Sequence, residues 1–139
     1  MSILSGCAPI PHYEVVSSAV MGKVHRNGEP EKNALVYIEH PLGESCSGRI
    51  EVDTRTDGEG HFQFKLRKEF RLFIAMDPAV HWQVCIVDGN KHFQGWYQSG
   101  IGGPPPTIRL DCDLESDSLV IETDYPVTIK GICESDFEI

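Results

Sequence analysis

Thr56-Asp57-Gly58-Glu59-Gly60-His61-Phe62-Gln63-Phe64-Lys65-Leu66 is the stretch whose reading decides the fold. Its first half is a turn, because Asp and Gly accept the tight and left-handed backbone that most residues avoid. Its second half alternates. Phe62, Phe64 and Leu66 fall on one side of an extended chain, Gln63 and Lys65 on the other, since strand side chains repeat every two residues. This is the pattern of a strand with one face on a core and the other in water.

The same period runs outward from it. Toward the N-terminus, Val20, Gly22 and Val24 alternate with Met21 and Lys23, and Asn27-Gly28-Glu29-Pro30 marks a turn, with Gly28 free to take positive φ. Ala34-Leu35-Val36-Tyr37-Ile38 is a near-continuous apolar strand, residues 41–48 read as a loop, and Ile50-Glu51-Val52-Asp53-Thr54 alternates again. Toward the C-terminus come a short strand from Leu72 to Ala75 and another from Trp82 to Val87. The latter is closed by the hairpin signal Asp88-Gly89-Asn90 and returns as Lys91 to Gln98. Residues 99–106 read as a loop, because consecutive prolines donate no ladder hydrogen bonds. Ile108, Leu110 and Cys112 alternate with Arg109 and Asp111. Leu119 to Ile121 and Val127 to Ile129 supply the last strand or strands. Only Asp77-Pro78-Ala79-Val80 suggests a helical turn. About eight short strands with no amphipathic helix predict an all-β, two-sheet sandwich, with a closed barrel as the alternative.

The 139 residues suit one domain with a core of its own. We place a tether at 1–13 and a single sandwich at 14–139. The formal net charge of −9 argues against nucleic acid, which requires clustered Lys and Arg. From Asp111 onward every charged residue but Lys130 is acidic. That segment reads as a solubilising tail or as a contact face for a basic surface.

Two resemblances extend the reading. Leu4-Ser5-Gly6-Cys7 resembles the lipobox of bacterial lipoproteins. It implies lipidation of Cys7 and a periplasmic protein anchored to the outer membrane, touching the membrane only through the anchor. Residues 1–6 lack the basic and apolar regions of a complete secretory signal, and an incidental Cys7 in a cytoplasmic chain is the alternative. Gly22-Lys23-Val24, Gly28-Glu29-Pro30, Ala34 to Ile38 and Thr56 to Phe64 together resemble the carboxypeptidase regulatory-like domain over residues 19–66. The resemblance implies a transthyretin-like sandwich, of the broader immunoglobulin-like kind, used as an accessory or binding module. Glu31 departs from the apolar residue usual in that family, and Asn33 from a common Gly; Asn tolerates the left-handed conformation.

Enzyme signatures are not found: the sequence has no nucleophile elbow, phosphate loop or zinc-binding His pair. The expectation is therefore a non-enzymatic protein-binding module without a cofactor, taking a partner protein of basic character. An immunity protein that sequesters a secreted toxin and a docking part of an envelope or secretion assembly are the specific alternatives. A sugar-binding module is a further one. Trp96 and Tyr97 are candidate contacts, as neighbours on a strand facing opposite ways. Asp111, Asp113, Glu115 and Asp117 alternate and are expected to line one strand face, solvated or ready for a basic partner, without the spacing of a calcium loop. The six His are scattered and read as surface or turn residues rather than metal ligands. With Cys7 set apart, Cys46, Cys85, Cys112 and Cys133 remain as possible disulfide cysteines, open to three pairings.

Overall fold

The computed structural model describes residues 11–40, 45–71, 79–101, 103–122 and 127–137. They form thirteen strands: β1 (His12–Ser17), β2 (Ala19–Arg26), β3 (Glu29–Pro30), β4 (Leu35–Glu39), β5 (Val52–Arg55), β6 (His61–Phe64), β7 (Arg67–Arg71), β8 (Ala79–Asp88), β9 (Lys91–Ile101), β10 (Thr107–Asp113), β11 (Leu119–Glu122), β12 (Val127–Gly131) and β13 (Cys133–Phe137). The architecture is an all-β sandwich. A five-stranded sheet runs β13-β10-β2-β3, with β6 also paired to β2. A six-stranded sheet runs β11-β12-β9-β8-β4-β5, and β1 and β7 form a separate two-stranded ribbon. The β2–β10 pair is parallel; all other pairs are antiparallel.

The alternation seen in the sequence is what packs the two large sheets. Val20, Val24, Phe62, Phe64, Ile108 and Leu110 point inward from one sheet, and Val36, Ile38, Trp82, Val84, Ile86 and Trp96 from the other, all within one buried cluster. Burying each large side chain contributes about 1.5–3 kcal/mol. Gly22 belongs to the inward row because the Phe62 ring occupies its space: a Cβ there would lie 2.4 Å from the ring. Asn27 and Gly28, at φ 51° and 83°, are the left-handed pair that a two-residue hairpin requires. Asn33 is likewise left-handed, at φ 54°.

Several boundaries differ from those expected. His12 and Tyr13, read as tether, begin β1. Pro11 precedes the strand instead of interrupting it, and Tyr13, Val15 and Val16 favour an extended chain. β7 follows β6 after two residues and pairs with β1, which the strand reading through Leu66 missed. β9 runs to Ile101, so Ser99 and Gly100 are not loop: β9 pairs there with both β8 and β12, and pairing on both sides overrides the weak strand preference of Gly. Ala79 and Val80 start β8 and are not helical. The acidic segment does not end as a free tail, since Cys133 to Phe137 pairs with β10. The expected strand at 72–75, the first half of the turn at 77–80, residues 41–44 of the loop and the lipobox at 4–7 lie outside the described residues.

Candidate binding face

The two large sheets turn very different outer faces to their surroundings. On the six-stranded sheet the middle of this face, over β4, β8 and β9, is sealed, whereas Asp53 and Val120 on the flanking strands stay exposed. Glu39, at the end of β4, is fully buried with no cation beside it among the described residues. Its carboxylate accepts hydrogen bonds from the backbone N–H groups of Ser47 (2.8 Å) and Arg49 (3.0 Å), from Ser47 Oγ (2.9 Å) and from Gln83 Nε2 (2.6 Å). Gln94 Nε2 in turn donates to Gln83 Oε1 at 2.7 Å. A buried charge survives only when its lone pairs are answered in this way. The loop that supplies the donors is tied to β8 by the Cys46–Cys85 disulfide. Beside it, burial pushes the Tyr37 phenol above its usual pKa, and the Glu39 carboxylate adds to the shift. Glu39, Cys46 and Cys85 bring ligand-type atoms within 4.8 Å of one another, but both sulfurs are spent in the disulfide.

Tyr97 lies on this sealed side and Trp96 on the core side. Their opposite orientation is as expected, but their availability is not. Trp96 is 1 % exposed and Tyr97 4 %. The Trp96 ring packs edge-on against Trp82 at 5.1 Å. Tyr97 packs against His81 and lies beneath the Lys130 ammonium, 4.8 Å from the ring centre. Contrary to the expectation for Trp96 and Tyr97, both faces of β9 are covered here, so neither ring forms a recognition surface, for a protein or for a sugar.

The outer face of the five-stranded sheet is open. Register brings its charged residues together from distant parts of the chain. Lys23 on β2 lies across from His61 on β6 and from Asp111 on β10, and Asp111 lies across from Glu134 on β13. One step along, Met21 faces Arg109, and Arg109 faces Asp136. Asp111 is the hub. His25 Nε2 meets its Oδ1 at 2.5 Å, and Lys23 Nζ lies 3.5 Å from Oδ2. Where β6 gives way to β3 along β2, a cleft of about 400 Å³ opens between Lys23, His25, Asp111, Glu59 and His61. His25 Nδ1 is buried there without a hydrogen-bond partner. The turn before β6 is held by Asp57, whose carboxylate accepts from the N–H groups of His61 and Glu59, both at 2.9 Å. These bonds, His61 first, lower its pKa from the usual 3.8.

The expected acidic row is thus only partly assembled. Asp111 and Asp113 share a face of β10, but the strand ends at Asp113 and Leu114 turns into the core. Asp113 caps the turn by accepting from the N–H of Glu115 at 2.9 Å. Glu115 pairs with Arg26 Nη1 at 2.7 Å. Arg26 also binds Glu31 at 3.1 Å and Asp88, joining three turns at one end of the sandwich. The hydrogen bonds to Glu31 and then Glu115 hold its pKa above the ordinary value. Asp117 is exposed beyond the turn. The four carboxylates therefore do not line one strand face, because the alternation that places Asp111 and Asp113 stops where the strand stops. Conversely, Glu134, Asp136, Lys23, His25 and His61 belong with Asp111, and no short spacing signals this because cross-strand neighbours are far apart in sequence.

The four possible disulfide cysteines pair as Cys46–Cys85 and Cys112–Cys133. The second joins β10 to β13 at directly opposed positions and so fastens the acidic strand to the open sheet. No family model matches the chain, and neither a curated protein nor a solved structure matches it.

Proposed function

We propose that the protein is a non-enzymatic binding module that presents the open outer face of its five-stranded sheet to a basic surface on another protein. The observation that carries this reading is the direct opposition of Asp111 and Glu134 across β10 and β13, with Asp113 and Asp136 on the same face. Like charges directly opposite each other destabilise a sheet. Here Lys23 and His25 answer only part of that repulsion. A partner that places Lys or Arg over the pair relieves the remainder and gains steered association.

The reading extends to place. We propose a lipoprotein anchored through Cys7 in the bacterial outer membrane and facing the periplasm. Support comes from the pairing of the other four cysteines into two disulfides, which suits an oxidising compartment. The transthyretin-like type of sandwich, as in the carboxypeptidase regulatory-like domain, is proposed on the same footing. The packing of Gly22 against Phe62 gives its Gly-x-Val strand a physical role.

The test is capture by the full chain and by an Asp111→Lys, Glu134→Lys variant, from envelope and secreted fractions, with salt raised stepwise. A basic protein held by the native chain, released by salt and lost from the variant, is the expected result. Equal retention by both chains overturns the face. A captured secreted toxin, neutralised on binding, identifies an immunity protein; several envelope proteins together identify an assembly component.

A further inference from the structure

The β1–β7 ribbon differs from the rest of the molecule in both charge and polarity. Among the described residues it pairs as a strand with neither large sheet. Tyr13 and Phe70 sit directly opposite each other on it. Their rings touch edge to face at 5.7 Å, yet they are 70 % and 54 % exposed. A stacked aromatic pair left in water is a surface waiting for cover. Val15 lies opposite Lys68 two residues along, which puts the exposed Lys68 on the same face as the two rings. The chain around β7 is also basic. Lys65, Arg67, Lys68 and Arg71 accompany only Glu69 between positions 65 and 71, in a chain of net charge −9.

Exposed aromatics with adjacent cations are the signature of a group that lies in the interfacial layer of a bilayer: the rings sit at headgroup level and the cations meet anionic lipid. We propose that this ribbon is a membrane-contact element, laying Tyr13, Phe70 and Lys68 against an anionic lipid surface. The occupant is a lipid surface rather than a protein because the chain itself brings one near. Tyr13 is six residues from Cys7, a reach of at most roughly 20 Å even for extended chain. Only this proximity rests on the proposed lipidation; the ribbon's aromatic and basic character does not. Beyond the acyl anchor, the ribbon supplies a second contact that orients the domain on the surface.

The experiment uses the full chain with Cys7→Ser, so that no acyl group takes part, and sedimentation with vesicles at physiological ionic strength. Vesicles of phosphatidylethanolamine with phosphatidylglycerol are compared with vesicles of phosphatidylcholine alone. Binding to the anionic vesicles is expected. It should fall about tenfold with Lys68→Glu and by at least as much with Tyr13→Ala plus Phe70→Ala, while the matched charge reversal Lys91→Glu on the exposed β8–β9 hairpin leaves it unchanged. The urea unfolding midpoints of these variants, whose changed side chains are exposed, verify folding. Failure to bind anionic vesicles overturns the proposal, as does unchanged binding by the aromatic double variant or capture of an acidic protein in place of vesicles. Mass spectrometry of the native N-terminus decides lipidation separately: vesicle binding by a chain whose Cys7 is never acylated keeps the ribbon and removes the anchor.

Discussion

The outer faces of the two sheets carry the same kind of group, a carboxylate beside a disulfide-linked strand, in opposite surroundings. Glu39 is sealed under a loop and answered by four donors, none of them charged. Asp111 is half exposed, faces another carboxylate across the sheet, and is answered by a His at 2.5 Å and a Lys at 3.5 Å. The difference teaches where to look for function. A buried carboxylate with every lone pair used is part of the fold, since removing it strands several donors. An exposed carboxylate placed against its own kind adds little to the fold and remains available to a partner.

The largest test of that contrast is Glu39→Ala. Hydrogen bonds to a charged group are worth about 1.5–3 kcal/mol each and several are lost, so urea unfolding should register a loss of roughly 3–5 kcal/mol. A loss below 1 kcal/mol would mean that water replaces the carboxylate and that the face is not sealed. Next comes the staple over that face. Replacing Cys46 and Cys85 by Ala should cost about 2–4 kcal/mol in thermal or urea unfolding. Removing Cys112–Cys133 should cost about 0.5 kcal/mol less on loop closure alone, because it spans 21 residues instead of 39. Gly22→Ala drives a methyl into the Phe62 ring beneath the open face and should cost about 1–3 kcal/mol.

On the open face itself the effects on stability should be small. Asp111→Asn or Glu134→Gln should change stability by less than about 0.5 kcal/mol, while either weakens capture of a basic partner in a salt-sensitive way. A large loss of stability would make Asp111 a structural residue like Glu39 and dissolve the contrast. The smallest effect concerns Asp57. Its folded pKa lies below the unfolded value near 3.8, so its contribution is present above that value and is lost as pH falls through the lower folded pKa. Acid titration of stability should therefore show a component below pH 3.8 that Asp57→Ala removes.

The strand period made much of this legible. Phe62 and Phe64, Val20 and Val24, and Ile108 and Leu110 are inward as their alternation requires. The Asn27-Gly28 and Gly89-Asn90 turns stand where turn chemistry puts them. The site was far less legible. A search along the chain groups Asp111 with Glu115 and Asp117, whereas the open face groups it with residues on three other strands. Trp96 and Tyr97 invited a surface reading because one of two adjacent strand residues normally faces water. At this point of β9 both sides are covered.

The sequence by itself determined that the chain would fold as strands, which side of most strands would be apolar and where the main turns would fall. Those are local properties, set by a two-residue period and by the backbone preferences of Gly, Asn and Pro. Tertiary structure alone decided which cysteines meet, which polar side chains are buried and which carboxylates share a surface. Each of these depends on strand order and register, which arise from all the long-range pairings forming together and from how the two sheets and their covering loops shut out water.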